Sequence, residues 1–217
     1  MWQPNWLAGL FVSVDYFDIE IDNAISLVFG GDAATLCFLG RDPTAQLCNI
    51  ERAPSGDIMS AKASWYNVSS VRSTGYDLVI EYNWELNSLG LFNQGASLGL
   101  SFIGNYYTEA GTQASPIAPF LDCAGKFGPL CSDFNFLGAL PEFRATTRLT
   151  YRSGSFTASL RWHHIGEMTN SETEIRAINN QPAPSLAVPS VSSEDYFELT
   201  LQQQLGEHFD LSLGIFN

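Results

Sequence analysis

The chain has 217 residues and a formal net charge of −13, with 23 acidic residues against 10 Lys and Arg. So few basic residues leave no basic stripe for a phosphate backbone, which argues against nucleic-acid binding. The sequence contains no run of about 18 apolar residues that could form a transmembrane helix. Membrane-spanning strands are not excluded, because they are only about 10 residues long and their alternating residues average out in hydropathy.

Alternating apolar and polar residues predict seven β-strands. They lie near residues 8–21, 72–84, 96–107, 141–152, 156–165, 194–205 and 208–217. In the first strand the apolar positions are even-numbered up to Tyr16 and odd-numbered from Phe17 onward. This change of phase indicates either a β-bulge or a strand that leaves an apolar slab through a belt of aromatic residues.

The clearest hairpin runs from residue 141 to residue 165. Leu149 and its alternate neighbours form an apolar face, whereas Arg148 and its alternate neighbours form a polar, cationic face. Gly154 lies in the turn, where its conformational freedom is useful. Such a hairpin fits a soluble β-sandwich that buries the apolar face, and it also fits a transmembrane barrel that turns this face to lipid.

The predicted connections alternate between long and short. The long ones are residues 22–69, 108–140 and 166–192. Outer-membrane barrels have short turns on one rim and long extracellular loops on the other, a segregation that sandwiches lack. We therefore predict an all-β fold, in which residues 1–217 form one partial domain of an antiparallel up-and-down transmembrane barrel. Seven strands are fewer than the even number, at least eight, of a complete bacterial barrel.

The four cysteines form two local pairs in segments rich in turn residues, Cys37 with Cys48 and Cys123 with Cys131. We interpret these pairs as two loop disulfides formed in an oxidising compartment. A zinc site assembled from both pairs is the alternative, although structural zinc favours closer ligand spacing.

Four segments resemble, in the same order, the C-terminal part of a TonB-dependent outer-membrane receptor. The most distinctive parts are the strand DYFDIEI, the strand start at residues 74–77 and the sequence LPEFR at residues 140–144. The four segments are WQPNWLAGLFVSVDYFDIEIDNAIS, STGYDLVIEYNW, LPEFRATTRLTYRSGSFTASLRWHHIG and EDYFELTLQQQLGEHFDLSLGIFN.

The resemblance implies a role in a Gram-negative outer membrane. Receptors of this kind are barrels of about 22 strands, filled by a plug, that import scarce nutrients with energy relayed through TonB. The sequence shows no signal peptide, plug or TonB-contacting segment, so we expect a fragment of such a receptor. The expected partners are outer-membrane lipid, the plug and missing strands, TonB through the absent plug, and an unidentified small-molecule ligand, with no cofactor.

The resemblance also implies that ligand binds on the extracellular loops and the upper lumen wall. Packing within the loop is the alternative for each candidate, and the loop candidates are Trp65, Tyr66, Phe120, Phe134 and Phe136.

Charged residues on the polar strand faces are expected to form a lumen-wall ion network or to contact the plug. A charge on the lipid face would cost about 2 to 4 kcal/mol at the midplane. A specific anion-binding role for the arginines is the alternative. The predicted network comprises Asp77, Glu81, Glu142, Arg144, Arg148, Arg152, Arg161 and Glu198.

The sequence shows no nucleophile elbow, P-loop or dinucleotide fingerprint, so we expect no enzyme and no catalytic residue. No metal site is expected either, because the adjacent His163 and His164 point to opposite faces of a strand. The predicted function is energised uptake of a nutrient such as an iron chelate, a vitamin or an oligosaccharide. The alternatives are a soluble secreted carbohydrate-binding β-sandwich and a small self-closing barrel with enzymatic activity.

Overall fold

The structure is a computed structural model. It describes residues 1–28, 37, 48, 50–62, 64–86, 95–113, 119–128, 131, 139–173, 182, 186 and 188–217. Within this part of the chain, no helix is both long and apolar enough to cross a membrane.

The chain folds mainly into one large antiparallel sheet. The strands are β1 Leu10–Val28, β2 Ile50–Arg52, β3 Ile58–Ala61, β4 Ser64–Glu85, β5 Ser97–Gln113, β6 Leu121–Asp122, β7 Lys126–Phe127, β8 Phe143–Ser153, β9 Phe156–Ile165, β10 Met168–Asn170, β11 Ser190–Val191, β12 Glu194–Leu205 and β13 Phe209–Phe216. The strand order in the large sheet is β1-β4-β5-β8-β9-β12-β13, with β6 paired to β5, and this confirms the predicted all-β up-and-down fold.

The observed strand bounds agree with the predicted ones for some strands and exceed them for others. Strands β9 and β12 have the predicted bounds, but β1 continues to Val28, β4 begins at Ser64 and β5 continues to Gln113. The connections predicted at 22–69 and 108–140 are therefore shorter than expected. Main-chain pairing continues where side chains no longer alternate clearly, so the sequence pattern ends before the strand does. The connection predicted at 166–192 contains β10 and β11.

The sheet has one apolar face that stays uncovered in the described residues. Val14 is 58% exposed and Leu213 is 56% exposed, although both are large aliphatic side chains within long strands. Few apolar side chains of the sheet are buried, so no second layer packs against this face here. A continuous apolar face of this size fits contact with lipid.

An aromatic row crosses the apolar face on four adjacent strands. Tyr16, Tyr76, Tyr106 and Phe143 are consecutive cross-strand partners on β1, β4, β5 and β8, and the first two rings are 5.2 Å apart. Trp84 lies on the same face toward the opposite rim. The eight residues of β4 from Tyr76 span about 26 Å of strand, or roughly 20 Å of depth at a tilt of about 40°. This depth is close to the height of the apolar band of an outer-membrane barrel.

The phase change after Tyr16 arises where β1 passes this row. Pairing with β4 is continuous from Leu10 to Ile21, so no bulge in β1 causes the change. The register shift at this level lies between β4 and β5, next to Gly75. The second of the two interpretations, a strand leaving an apolar slab, therefore describes β1.

A break in register at Asn23 and Ala24, the joint, interrupts β1 further along its length. The pairing with β4 shifts on both sides of Ala24, and Asn23 has a positive φ of 55°. Asparagine is among the few residues other than glycine that adopt this left-handed conformation readily. Such irregularities bend a strand locally.

A small core forms where the connections meet the ends of β5, β8 and β9. Ala110, Cys123, Cys131 and Ser171 are fully buried. Cys123 and Cys131 form a disulfide, and β7, β10 and β11 form a small sheet beside it. The Cys37 sulfur is likewise bonded to that of Cys48. The connection after β5 is thus fastened to the rim of the sheet.

Candidate functional site: a basin on the polar face

The polar face of the sheet carries a concave basin of about 1120 Å³. Most of its lining comes from inward-pointing residues of β1, β4, β5, β8, β9 and β12, at the level of the aromatic row on the other face, and Ala145, His164 and Asn217 also border it. The inward-pointing residues include Asp15, Phe17, Ile19, Ser73, Asp77, Val79, Ile103, Asn105, Tyr107, Arg144, Thr146, His163, Ile165, Tyr196 and Glu198.

An aromatic pair forms one edge of the basin. The rings of Phe17 and Tyr107 meet edge to face, with centroids 5.8 Å apart. Gly75 makes room for this arrangement, because a Cβ there would lie 2.7 Å from Cζ of Phe17 and would also meet the carbonyl oxygen of Tyr106. The edge therefore presents exposed ring surface that can stack on a flat or apolar ligand group.

Polar residues continue across the basin along one rung of the sheet. Asp15, Asp77, Asn105 and Arg144 are successive cross-strand partners. Asn105 donates from Nδ2 to Oδ1 of Asp77 over 2.6 Å, and Ser13 donates from Oγ to Oδ2 of Asp15 over 2.9 Å. The side chain of Arg144 forms no hydrogen bond or ion pair with another described residue.

A second polar group lies one rung closer to the opposite rim. Thr146 Oγ1 and His163 Nδ1 are 3.1 Å apart, and His163 Nε2 lies 3.6 Å from Oε1 of Glu198. Arg161 donates from Nη1 to Oε2 of Glu198 over 2.7 Å. The basin thus offers donors, acceptors and both signs of charge.

His164 points to the other face of the sheet from His163. Its Nδ1 lies 2.8 Å from Oδ1 of Asp195, which also accepts a hydrogen bond of 2.7 Å from Nε1 of Trp162. The ring of Trp162 stacks on that of Phe197 with an interplanar angle of 9°. This cluster belongs to the aromatic belt of the apolar face, so the two histidines do not share a site.

The residues of the predicted ion network take several positions. Asp77, Arg144 and Glu198 line the basin, and Arg161 forms the ion pair with Glu198. Glu81, Arg148 and Arg152 lie on the same inner face, nearer the short turns, by their register with β5. The two arginines form no ion pair with a described residue.

The prediction that Glu142 faces the lumen was wrong. Its Oε1 accepts a hydrogen bond of 2.5 Å from the hydroxyl of Tyr106, which lies in the outer aromatic row. Glu142 precedes the first residue of β8, so strand alternation does not fix the direction of its side chain.

None of the aromatic loop candidates that the structure describes lines the basin. Trp65 is 61% exposed and pairs with Leu27 near the far end of β4. Phe120 packs over Gly111 of β5, since a Cβ there would lie 2.8 Å from its Cζ. The side chain of Tyr66 lies outside the described part of the chain, as do Phe134 and Phe136.

Sequence reasoning missed most of the basin residues, including Asp15, Phe17, Asn105 and Tyr107. Their inward parity and their nearness to the row of tyrosines were the available signals. Among the described residues, no group of three or more His, Cys, Asp or Glu side chains is arranged to hold a metal ion.

A curved antiparallel sheet with a lipid-compatible outer face, an aromatic row and a polar inner face defines the wall of a transmembrane β-barrel. Comparison with protein families shows which family of β-barrel proteins the chain matches. Residues 2–217 match the family described as TonB dependent receptor-like, beta-barrel. The chain therefore belongs to the TonB-dependent receptors and matches the β-barrel part of the family. The family consists of outer-membrane receptors and transporters that act with a plug and TonB. Comparison with curated proteins gives no match.

Proposed function

We propose that this chain forms part of the lumen wall of a receptor that takes up a scarce nutrient, and that the basin contacts this nutrient. The nutrient is an iron chelate, a vitamin or an oligosaccharide. The position of the basin carries the proposal, because it lies on the inner face at the level where β1, β4 and β5 leave the membrane. A ligand arriving from outside would meet this part of the wall first.

The edges of the sheet support a larger, closed barrel. All eight residues of β13 are exposed, and β1 is the other edge strand of the main sheet. Lipid cannot satisfy the unpaired backbone groups of an edge strand. We infer that further strands of the receptor cover both edges and that the plug fills the lumen, linking the basin to TonB.

The basin serves binding and not catalysis in this proposal. Thr146, His163 and Glu198 are placed in the order of a nucleophile, a base and an orienting acid. Acyl transfer also needs backbone N–H groups aimed at the developing oxyanion, and the ladder hydrogen bonds of β8 and β9 occupy those groups here. Thr146 and His163 are cross-strand partners, and Glu198 lies opposite Arg161 on the next strand, so the three residues order the wall.

Nutrient uptake by the complete receptor tests the proposal. Cells that depend on the receptor would be grown on iron chelates, vitamin B12 or oligosaccharides as the limiting nutrient, with and without a protonophore. We expect growth on one of these classes, abolished by the protonophore. Tyr107→Ala should impair uptake, whereas Trp65→Ala, outside the basin, should not.

Two results would contradict the proposal. One is recovery of the protein in the soluble fraction without detergent, which would favour a secreted β-sandwich. The other is uptake that depends on Trp65 and is indifferent to Tyr107, which would move the binding surface to the loops.

A further inference from the structure

Charges on the inner face of the sheet are sorted by strand. Acidic residues lie on β1 and β4, at Asp15, Asp77 and Glu81, whereas the inward charges of β8 are all arginines. Strand β5 separates them and carries no charge on this face between Ser97 and Asn105. The wall of the basin therefore has a negative side and a positive side.

Asn105 lies between the negative side and the positive side of the basin wall. It lies between Asp77 and Arg144 on one rung and donates its amide hydrogen to Asp77. Two strand spacings of about 4.8 Å place the backbones of Asp77 and Arg144 about 10 Å apart. The side-chain oxygen Oδ1 of Asn105 is buried and has no hydrogen-bond partner among the described residues. The middle of the rung therefore carries no charge, and the charged groups lie at its ends.

Neither end of the rung has a counter-charge among the residues that the structure describes. Asp15 and Asp77 are directly opposite each other on neighbouring strands, where like charges are destabilising. The side chain of Arg144 is exposed and has no ion pair or hydrogen bond with another described residue. By contrast, Arg161 on the same wall is bound by Glu198 at 2.7 Å.

We propose that the basin binds a dipolar small molecule, whose cationic group lies on Asp77 beside Asp15 and whose anionic group lies on Arg144. Because Asp77 and Arg144 are two strands apart, the two groups are about 10 Å apart, and each forms a charge-assisted contact. This inference rests on the proposed function and specifies the chemistry of its ligand.

Triglycine is a suitable probe, because three extended residues at about 3.4 Å each separate its terminal charges by about 10 Å. Binding to the complete receptor, purified in detergent, would be measured by calorimetry. N-acetyltriglycine lacks the cation and triglycinamide lacks the anion. We expect each analogue to bind roughly tenfold more weakly than triglycine, since each loses one charge-assisted contact.

Substitutions then assign each end. Arg144→Gln should weaken triglycine binding and abolish the preference for triglycine over triglycinamide. Asp77→Asn should abolish the preference over the N-acetyl analogue. The matched controls are Arg152→Gln and Glu81→Gln, which remove the same charges from the same strands outside the basin lining, and both should leave binding unchanged.

Equal binding of triglycine and its two analogues would overturn the inference, as would controls that act as strongly as the basin variants. A third contrary outcome is that Arg144→Gln leaves probe binding intact and lowers the melting temperature, which would assign Arg144 to a carboxylate of the plug. Nutrient uptake that persists in any of these cases would leave the proposed function standing.

Discussion

The strands β1, β4 and β5 have two parts that differ in which face is apolar. Below the aromatic row, Val14 and Ile80 point outward and Asp15 and Asp77 point inward. Above it, Asp18, Arg72 and Glu109 lie on the outer face, and Phe17 and Ile19 face inward. The backbone ladder between β1 and β4 runs through this change unbroken. The surroundings, and not the strand geometry, decide which face is apolar.

The parts also differ in what supports them. The membrane part is a sheet of neighbouring strands that bears an uncovered apolar face. The projecting part of β1 reaches roughly 40 Å beyond Tyr16 at about 3.3 Å per residue, and its outer face is held by exposed ion pairs. On β5, the projecting part instead gains β6 and the disulfide-fastened core around Cys123. The following changes test this division in order of expected effect.

The largest effect is expected from a charge on the outer face of the membrane part. Ile80 lies midway between Tyr76 and Trp84, so Ile80→Arg should destabilise the barrel by about 2 to 4 kcal/mol. Urea unfolding of the complete receptor in lipid vesicles would measure this free energy. Asp22→Arg, above the row, is the control and should change it little. Equal costs at the two positions would show that lipid does not end at the row.

Loss of the buried disulfide should loosen the projecting part of β5 without unfolding the membrane part. The bond joins cysteines eight residues apart, and closing a loop of this size is worth about 2 to 3 kcal/mol. The double variant Cys123→Ser, Cys131→Ser should become sensitive to protease added to intact cells, with cleavage between β5 and β8. Unchanged protection would mean that β6 and β7 hold the connection by themselves.

Adding a methyl group at Gly75, where β4 passes the aromatic row, should destabilise the protein. Gly75→Ala would push the new methyl group against Phe17 and the carbonyl of Tyr106, at a cost of about 1 to 3 kcal/mol. Gly99→Ala, on the inner face of the next strand, meets the side-chain oxygen of Asn83 at 3.0 Å and the carbonyl oxygen of Thr150 at an ordinary contact distance of 3.8 Å, so it should cost less. Thermal unfolding of both variants compares them, and a Gly99 variant that is the less stable of the two would refute the packing argument.

The smallest effect is expected for the ion pairs of the projecting part. Arg72 Nε lies 3.4 Å from Glu109 and 3.7 Å from Asp18, and its side chain is 44% exposed. Because water screens such pairs, Arg72→Ala should cost less than about 1 kcal/mol and the difference should fall as salt is added. A larger, salt-independent loss would indicate that the arginine stem packs against the strand.

The sequence predicts the membrane part better than the projecting part. Lipid on one face and water on the other impose strict alternation of apolar and polar residues, as at Leu149 and Arg148 of β8. Strands with this alternation can be located from sequence, and β9 and β12 have the predicted bounds. Above the aromatic row, neither face of the sheet is in contact with a uniformly apolar environment, so apolar and polar residues no longer alternate strictly. The far ends of β1 and β4 could therefore not be located from sequence. The same boundary explains Glu142, which lies just outside β8 and follows no alternation.

The basin was harder to predict because it depends on register between strands distant in sequence. Asp77 and Arg144 were recognised as inward charges from parity alone. Their separation by Asn105 depends on a pairing across 28 residues, which no local pattern encodes. The sequence therefore predicted which face of the sheet each charged residue occupies. It did not predict which residues lie beside it on the neighbouring strands.

The joint at Asn23 lies between the basin and the far end of β1. From Leu10 to Ile21, β1 and β4 form a ribbon of unbroken register, so Asp15 and Phe17 belong to one stiff piece. Beyond the joint, the pairing restarts in a new register. In mechanical terms β1 consists of two segments that meet at the joint, and the segment that carries Asp15 and Phe17 is the one with unbroken pairing to β4.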